Sequence, residues 1–264
     1  MSGGISARSF LTSDSVRLHV LEAGGDAPES PVIALVPGWC MPAAIWRGQL
    51  LALGRRFRVA ALDPRGQGDS ELPRRGFDID RRADDIHEFI SQYRRVVLVG
   101  WSLAALEALH CVHRHGEAGL AGLVLVDSSV GEDPEPAGGS EFFDDLRRDR
   151  ARAMRDFVRA MVRTPQPEEI RERLWQGALR MSLEASLSLL PRHLPREHWR
   201  KLARGFTRPL MYAVSGQFAA QAQNLRRHRP ATRVELFEHA GHAVFVDEAE
   251  RFGALLADFT AALP

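Results

Sequence analysis

Residues 96–105 read Val-Val-Leu-Val-Gly-Trp-Ser-Leu-Ala-Ala, an apolar run that passes through a single serine into a helical pattern. A hydroxyl at such a strand-to-helix turn, flanked by the small residues Gly100 and Ala104, makes a nucleophile elbow of the form G-x-S-x-A. A short motif alone recurs by chance, and Ser102 could merely cap the following helix; its place directly after a strand raises it above that reading. A serine hydroxyl is a weak nucleophile at neutral pH, so it needs a base in contact and an acid to orient the base. Residues 238–245, Glu-His-Ala-Gly-His-Ala-Val-Phe, supply the base candidate. His242 follows a glycine that lets the loop turn the imidazole back over the sheet edge, whereas the competing His239 sits nearer the strand end. His110, His113 and His115 share one helical stretch at a spacing that could bind a metal. No carboxylate or thiolate cluster completes that site, so they are read as helix-surface or helix-end residues, and no metal is expected.

These side chains act together only if a rigid framework brings them to one edge. Apolar or β-branched runs at Val32–Val36, Val59–Leu62, Val96–Val99, Leu123–Val126, Leu210–Val214 and Arg233–Phe237 alternate with amphipathic stretches at Asp80–Tyr93, Leu103–His115, Gln217–Arg229 and Glu248–Ala262. Strand then helix, repeated, predicts an α/β fold whose mostly parallel sheet is covered by helices on both faces. An early run, Arg17–Glu22, is expected to form an antiparallel edge hairpin with residues near Phe10. Residues 133–207 show helical patterns only and are read as a helical lid inserted into a core made of residues 1–132 and 208–264. A helix beginning near Glu141 would bury Phe143, Leu146, Met154, Phe157, Val158 and Met161, with Arg148, Arg152, Arg155, Arg159 and Arg163 on its other face. That basic stripe is either a solvated face or a dock for an acidic partner.

The segments Leu35-Val36-Pro37-Gly38-Trp39, Leu62-Asp63-Pro64-Arg65-Gly66-Gln67-Gly68-Asp69-Ser70, the elbow Gly100–Ala104 and the terminal Gly241-His242 together resemble the α/β-hydrolase superfamily over nearly the whole chain. The resemblance implies an eight-stranded sheet, a catalytic order of serine, acid and histidine, and an oxyanion hole whose backbone donors fall on Trp39 and Leu103. Pro37 stands where the family usually has histidine. The acid departs further: the family's usual aspartate after the penultimate strand is missing from Met211-Tyr212-Ala213-Val214-Ser215-Gly216-Gln217. Asp127, ending the strand beside the nucleophile, is the acid of choice, ahead of Glu132 and Asp133; its bland alternative is a turn-capping role. With Gly38-Trp39, the Gly100-Trp101-Ser102-Leu103 elbow and the arginine-bearing lid, the chain is similar to pimeloyl-[acyl-carrier protein] methyl ester esterases. That similarity implies an acyl carrier protein as partner, docking on Arg148, Arg152, Arg155 and Arg159.

The expected activity is therefore that of a carboxylic ester hydrolase, acting on small-molecule esters or acyl thioesters without a cofactor. Phe142, Phe143, Trp175 and Leu187 of the lid are expected to shape an apolar acyl pocket. Two other readings stand beside it. A cofactor-free dioxygenase would use His242 and Asp127 as a dyad, supported by Gly38-Trp39-Cys40 but not by Met41, which offers no polar group to a heteroaromatic substrate. A non-catalytic binding protein is the third. Composition narrows the field further: 35 basic against 34 acidic side chains in 264 residues leave a net charge of +1, which argues for no nucleic-acid partner. Cys40 and Cys111 are too few for a disulfide framework, and no leader-like or membrane-length apolar run occurs, so the protein is expected to be cytoplasmic and a monomer or weak dimer.

Overall fold

The computed structural model describes residues 4–25, 30–136 and 140–263. Among them, eight strands form one sheet in the order β1-β2-β4-β3-β5-β6-β7-β8. β1 (Ser6–Leu11) and β2 (Arg17–Ala23) make the expected edge hairpin, and β2 continues antiparallel to β4. The other strands, β3 (Val32–Val36), β4 (Val59–Asp63), β5 (Val96–Trp101), β6 (Leu120–Val126), β7 (Leu210–Ser215) and β8 (Thr232–Phe237), pair in parallel. The sheet matches the predicted runs, with β6 beginning at Leu120 rather than Leu123 and β5 running on through Trp101 into the elbow.

Every residue of β4, β5, β6 and β7 is buried, because helices cover both faces of the sheet. Alternation assigns the faces. Along β5, Val97, Val99 and Trp101 join the cluster containing α1 (Arg47–Leu53) and α10 (Ala249–Ala261), while Val96 and Leu98 join that of α2 (Ile79–Ile90), α3 (Leu103–His115) and α9 (Ala219–His228). Burying one such valine or leucine side chain is worth about 1.5–3 kcal/mol, so these strands anchor the core. α2 starts where Asp78 accepts a hydrogen bond from the Arg81 N–H at 2.9 Å.

Between β6 and β7 the described residues contain helices only: α4 (Ser140–Arg148), α5 (Arg150–Ala160), α6 (Glu168–Ala178), α7 (Leu183–Ser188) and α8 (Arg196–Gly205). Residues 137–139 of the inserted stretch lie outside the described ones. The single helix expected from Glu141 is two. Asp149, at φ −151° and ψ 86°, breaks it and caps α5 by accepting from the Arg152 N–H. Its capping carboxylate competes with helix continuation, a signal that the apolar periodicity on either side conceals. α8 packs back against α3, with Trp199 and Ala203 in the core beneath the sheet.

Cys40 and Cys111 are free and buried, and burial pushes each thiol up to about 12. An unfolded thiol titrates near 8.5, so on raising the pH the unfolded chain loses these protons first. Their contribution is fully present below about pH 8.5 and fades as the pH climbs toward 12. A thiol-reactive dye should therefore leave both cysteines unmodified in the native protein at pH 8 and react with two equivalents in denaturant. The urea midpoint should fall between pH 8 and pH 10.5, and less so in Cys40→Ala.

Candidate active site

Ser102 links β5 to α3 with φ 57° and ψ −121°, a backbone conformation in which few non-glycine residues are found. Its neighbours make this turn possible. A Cβ on Gly100 would lie 2.3 Å from the Ala104 carbonyl oxygen, and a Cβ on Gly38 would lie 2.9 Å from Ser102 Cβ. Glycine is required at both positions, and the second close approach shows that the Gly38-Trp39 loop lies directly beside the serine. The Ser102 N–H donates to the Val126 carbonyl at 2.8 Å, tying the elbow to the end of β6.

The next residue of that strand end is Asp127, fully buried and at φ 42°. One carboxylate oxygen, Oδ2, lies 2.7 Å from His242 Nδ1. The other, Oδ1, accepts the Ser215 N–H at 2.6 Å, at the strand end where the family's usual acid is missing. The His242 loop is held from three sides. The Gly241 N–H donates to Asp247, the Ala243 N–H to the Met161 carbonyl, and Trp101 Nε1–H to the His242 carbonyl at 2.9 Å. Trp101 also places its ring 5.1 Å from the imidazole. The other candidates are engaged elsewhere or exposed: Glu132 pairs with Arg204, Asp133 with Arg196 and Arg200, and His239 is exposed.

Ser102, His242 and Asp127 share one cleft of about 250 Å³ with Trp39, Leu103, Phe142 and Phe143. Two expected pocket residues are elsewhere. Trp175 donates Nε1–H to the Ala151 carbonyl and carries the Arg155 guanidinium 4.1 Å above its ring, and Leu187 packs into the core without lining the cleft. Leu106, Ser128, Ser129, Phe157, Leu190, Pro191 and Phe218 complete the walls instead. Trp39 meets Phe142 and Phe157 edge-on and donates Nε1–H to the Ser186 carbonyl. Of the arginine stripe, Arg148 lies 3.0 Å and Arg152 3.9 Å from Asp145. A second cavity, about 330 Å³ between α1 and α6, holds none of the three chemical groups.

Sequence reasoning overlooked the support of the loop beside Ser102. Gln67 donates to the Gly38 and Met41 carbonyls at 3.1 and 2.8 Å. Its own carbonyl accepts from Arg82, which forms a buried, two-pronged ion pair with Glu107 of α3. Only the position of Gln67 within the quoted 62–70 turn hinted at this chain.

A serine at a strained strand-to-helix turn, with a histidine and buried acid at the same sheet edge, has the layout of a hydrolase. Residues 33–255 match the model of the alpha/beta hydrolase family, and the chain belongs to that family. It is 26% identical over 269 residues to AB hydrolase superfamily protein YisY of Bacillus subtilis (strain 168), covering 94% of this chain and 97% of that relative. It is 28% identical over 241 residues to a pimeloyl-[acyl-carrier protein] methyl ester esterase of Neisseria meningitidis (serogroup C / serotype 2a), covering 86% and 92%. An esterase from Exiguobacterium antarcticum shares the fold with a TM-score of 0.83 at 22% identity, over 96% of this chain and 99% of that one. The protein is an enzyme of the hydrolase class, and these similarities accord with a carboxylic ester hydrolase. Among the described residues no helix is long and apolar enough to cross a membrane.

Gln67→Leu removes both hydrogen bonds to the loop beside Ser102 while keeping similar volume. Hydrolysis of p-nitrophenyl butyrate should fall about tenfold to a hundredfold in kcat with KM little changed, the loss expected when the loop beside Ser102 is misplaced.

Proposed function

We propose that this protein is a serine hydrolase that cleaves carboxylic esters through an acyl-enzyme on Ser102. The observation that carries the proposal is the 2.7 Å contact between His242 Nδ1 and buried Asp127, in the same cleft as the strained Ser102. With its Nδ1 proton held on the carboxylate, the imidazole keeps the Nε2 lone pair for the serine proton. Ser102 Oγ attacks the acyl carbon, and His242 passes the captured proton to the leaving alcohol. Water then attacks the acyl-enzyme with the same base. The backbone N–H groups of Trp39 and Leu103 are assigned to the developing oxyanion; the first N–H groups of a helix such as α3 have no intrahelical acceptor. The aromatic walls contributed by Trp39, Phe142, Phe143 and Phe157 favour an apolar acyl group. Residues 133–207 act as the lid, with α4 and α5 carrying Phe142, Phe143 and Phe157 over the serine.

A finer reading has the acyl chain delivered by an acyl carrier protein. It rests on the similarity to the named methyl ester esterases and on the exposed Arg148, Arg152, Arg155 and Arg159. Opposite charge at an interface rim acts mainly on association.

A fluorophosphonate probe should label wild-type protein at Ser102, mapped by mass spectrometry, and labelling should be lost in His242→Ala. In Asp127→Asn, ester turnover should fall about a thousandfold or more, because the imidazole loses its tautomer control. An unlabelled Ser102 with turnover preserved in Ser102→Ala would overturn the acyl-enzyme and leave the His242–Asp127 dyad of an oxygenase as the reading to pursue. Separately, Arg152→Glu with Arg159→Glu should reduce kcat/KM about tenfold or more on a carrier-linked methyl ester at low salt, leaving a free methyl ester unaffected. Equal rates on both substrates would remove the carrier protein and keep the esterase.

A further inference from the structure

The histidines of α3 acquire in three dimensions the partners that the linear sequence withholds. His110 is buried, and its Nε2 lies 2.6 Å from Asp80 of α2. Its Nδ1 lies 3.3 Å from Nε2 of His198, which comes from α8, eighty-eight residues away. His113, one helical turn beyond His110, is exposed and puts its ring 5.1 Å from that of His198 and 5.5 Å from that of His110. Three imidazoles from two helices thus converge, with a carboxylate behind the buried one.

We propose that His110, His113 and His198 form a binding site for a borderline divalent transition cation such as Zn²⁺, with solvent as the fourth ligand. The spacing supports it: two nitrogens each about 2.0–2.1 Å from a tetrahedral cation stand about 3.3–3.4 Å apart. The Asp80 contact holds the His110 proton on Nε2 and leaves the Nδ1 lone pair facing His198, the arrangement in which a carboxylate orients a metal-binding imidazole. His113 needs only a side-chain rotation, which its exposure permits, because residues three apart share a helix face. Charge nearby is mixed. Asp80 is 3.4 Å from Arg114, so micromolar rather than nanomolar affinity is expected. A bound cation would clamp α8, the last of the inserted helices, to α3, which follows directly on Ser102.

His19, Asp63 and Asp69 form a further group of ligand-type side chains, in which Asp63 is already engaged. Asp63 receives the Ala43 and Asp69 N–H groups and the His19 ring. It serves as the control.

The experiment is calorimetric titration of chelator-treated full-length protein with ZnSO₄ at pH 7.5, beside thermal unfolding. One cation per chain should bind, and at a hundredfold excess over Kd the unfolding temperature should rise by about 5 °C. His198→Ala and the surface variant His113→Ala should each weaken binding at least tenfold and cut the thermal shift to about half or less. Asp80→Asn should weaken it about tenfold through the His110 tautomer. Asp69→Asn should change nothing. Absence of saturable binding, or binding unchanged in His113→Ala and His198→Ala, would overturn the site and leave His110 and His198 as a hydrogen-bonded pair. Loss of binding in Asp69→Asn instead would move the cation to the other cluster and equally overturn the proposal.

Discussion

Asp127 ties the sheet edge together. Its N–H donates to the Ala213 carbonyl, its Oδ1 receives the Ser215 N–H, and its Oδ2 meets His242. A single buried carboxylate thus joins the ends of β6 and β7 to the loop after β8. A fully buried anion is tolerated only where such donors satisfy it, and hydrogen bonds to a charged acceptor are the stronger kind. The same contacts that satisfy the charge fix the imidazole, so folding and the readiness of the site rest on one group. Local strain is the counterpart. The left-handed backbone at Asp127 and the outlying one at Ser102 each cost of order 1–3 kcal/mol, and they persist because surrounding hydrogen bonds over-determine both turns.

A second buried charge pair does for the loop beside Ser102 what Asp127 does for the histidine. Arg82 and Glu107 are both about 1% exposed and joined by two hydrogen bonds, so removing either partner would strand a charge in the core. Through Gln67 the pair reaches the Gly38 and Met41 carbonyls. Since Glu107 stands on the helix capped by Ser102, the serine and the neighbouring loop are referenced to the same helix. Pro37 alters none of this support, because the loop is held by its carbonyls rather than by a side chain at that position.

The sheet was legible because fully buried parallel strands read as continuous apolar runs, and the runs at Val32–Val36 and Leu210–Val214 fall on β3 and β7 almost residue for residue. Ser102 and His242 were legible because a strand-to-helix turn and a post-strand glycine leave local signatures. Asp127 was reached by noticing what Ser215 is not. The inserted helices were harder. Periodicity found their buried faces, yet it could not show that Asp149 ends α4, that Leu190 rather than Leu187 turns toward the serine, or that Trp175 is occupied by Arg155 and Ala151. Those outcomes depend on how short helices lean on one another, which spacing along the chain does not encode. Gln67 and His198 were invisible for a related reason: their partners lie far off in sequence and matter only once the chain is folded.

The place of the proposed acid follows from sheet geometry. Adjacent strands lie about 4.8 Å apart, so an acid after β7 would stand two strands from the β5 serine and an acid after β6 only one. Moving the carboxylate inward would pull the histidine toward β5 unless the side chain is turned outward again. The positive φ at Asp127 redirects the chain at that point, and the Ser215 N–H receives the carboxylate on the β7 side. Serine at 215 fits this arrangement because a second carboxylate there would face Asp127 across a single hydrogen bond, and two buried like charges at that range cannot both stay ionised. The absent carboxylate at 215 and the aspartate at 127 are thus one feature: there is room for a single acid, and the Ser215 N–H holds it in place.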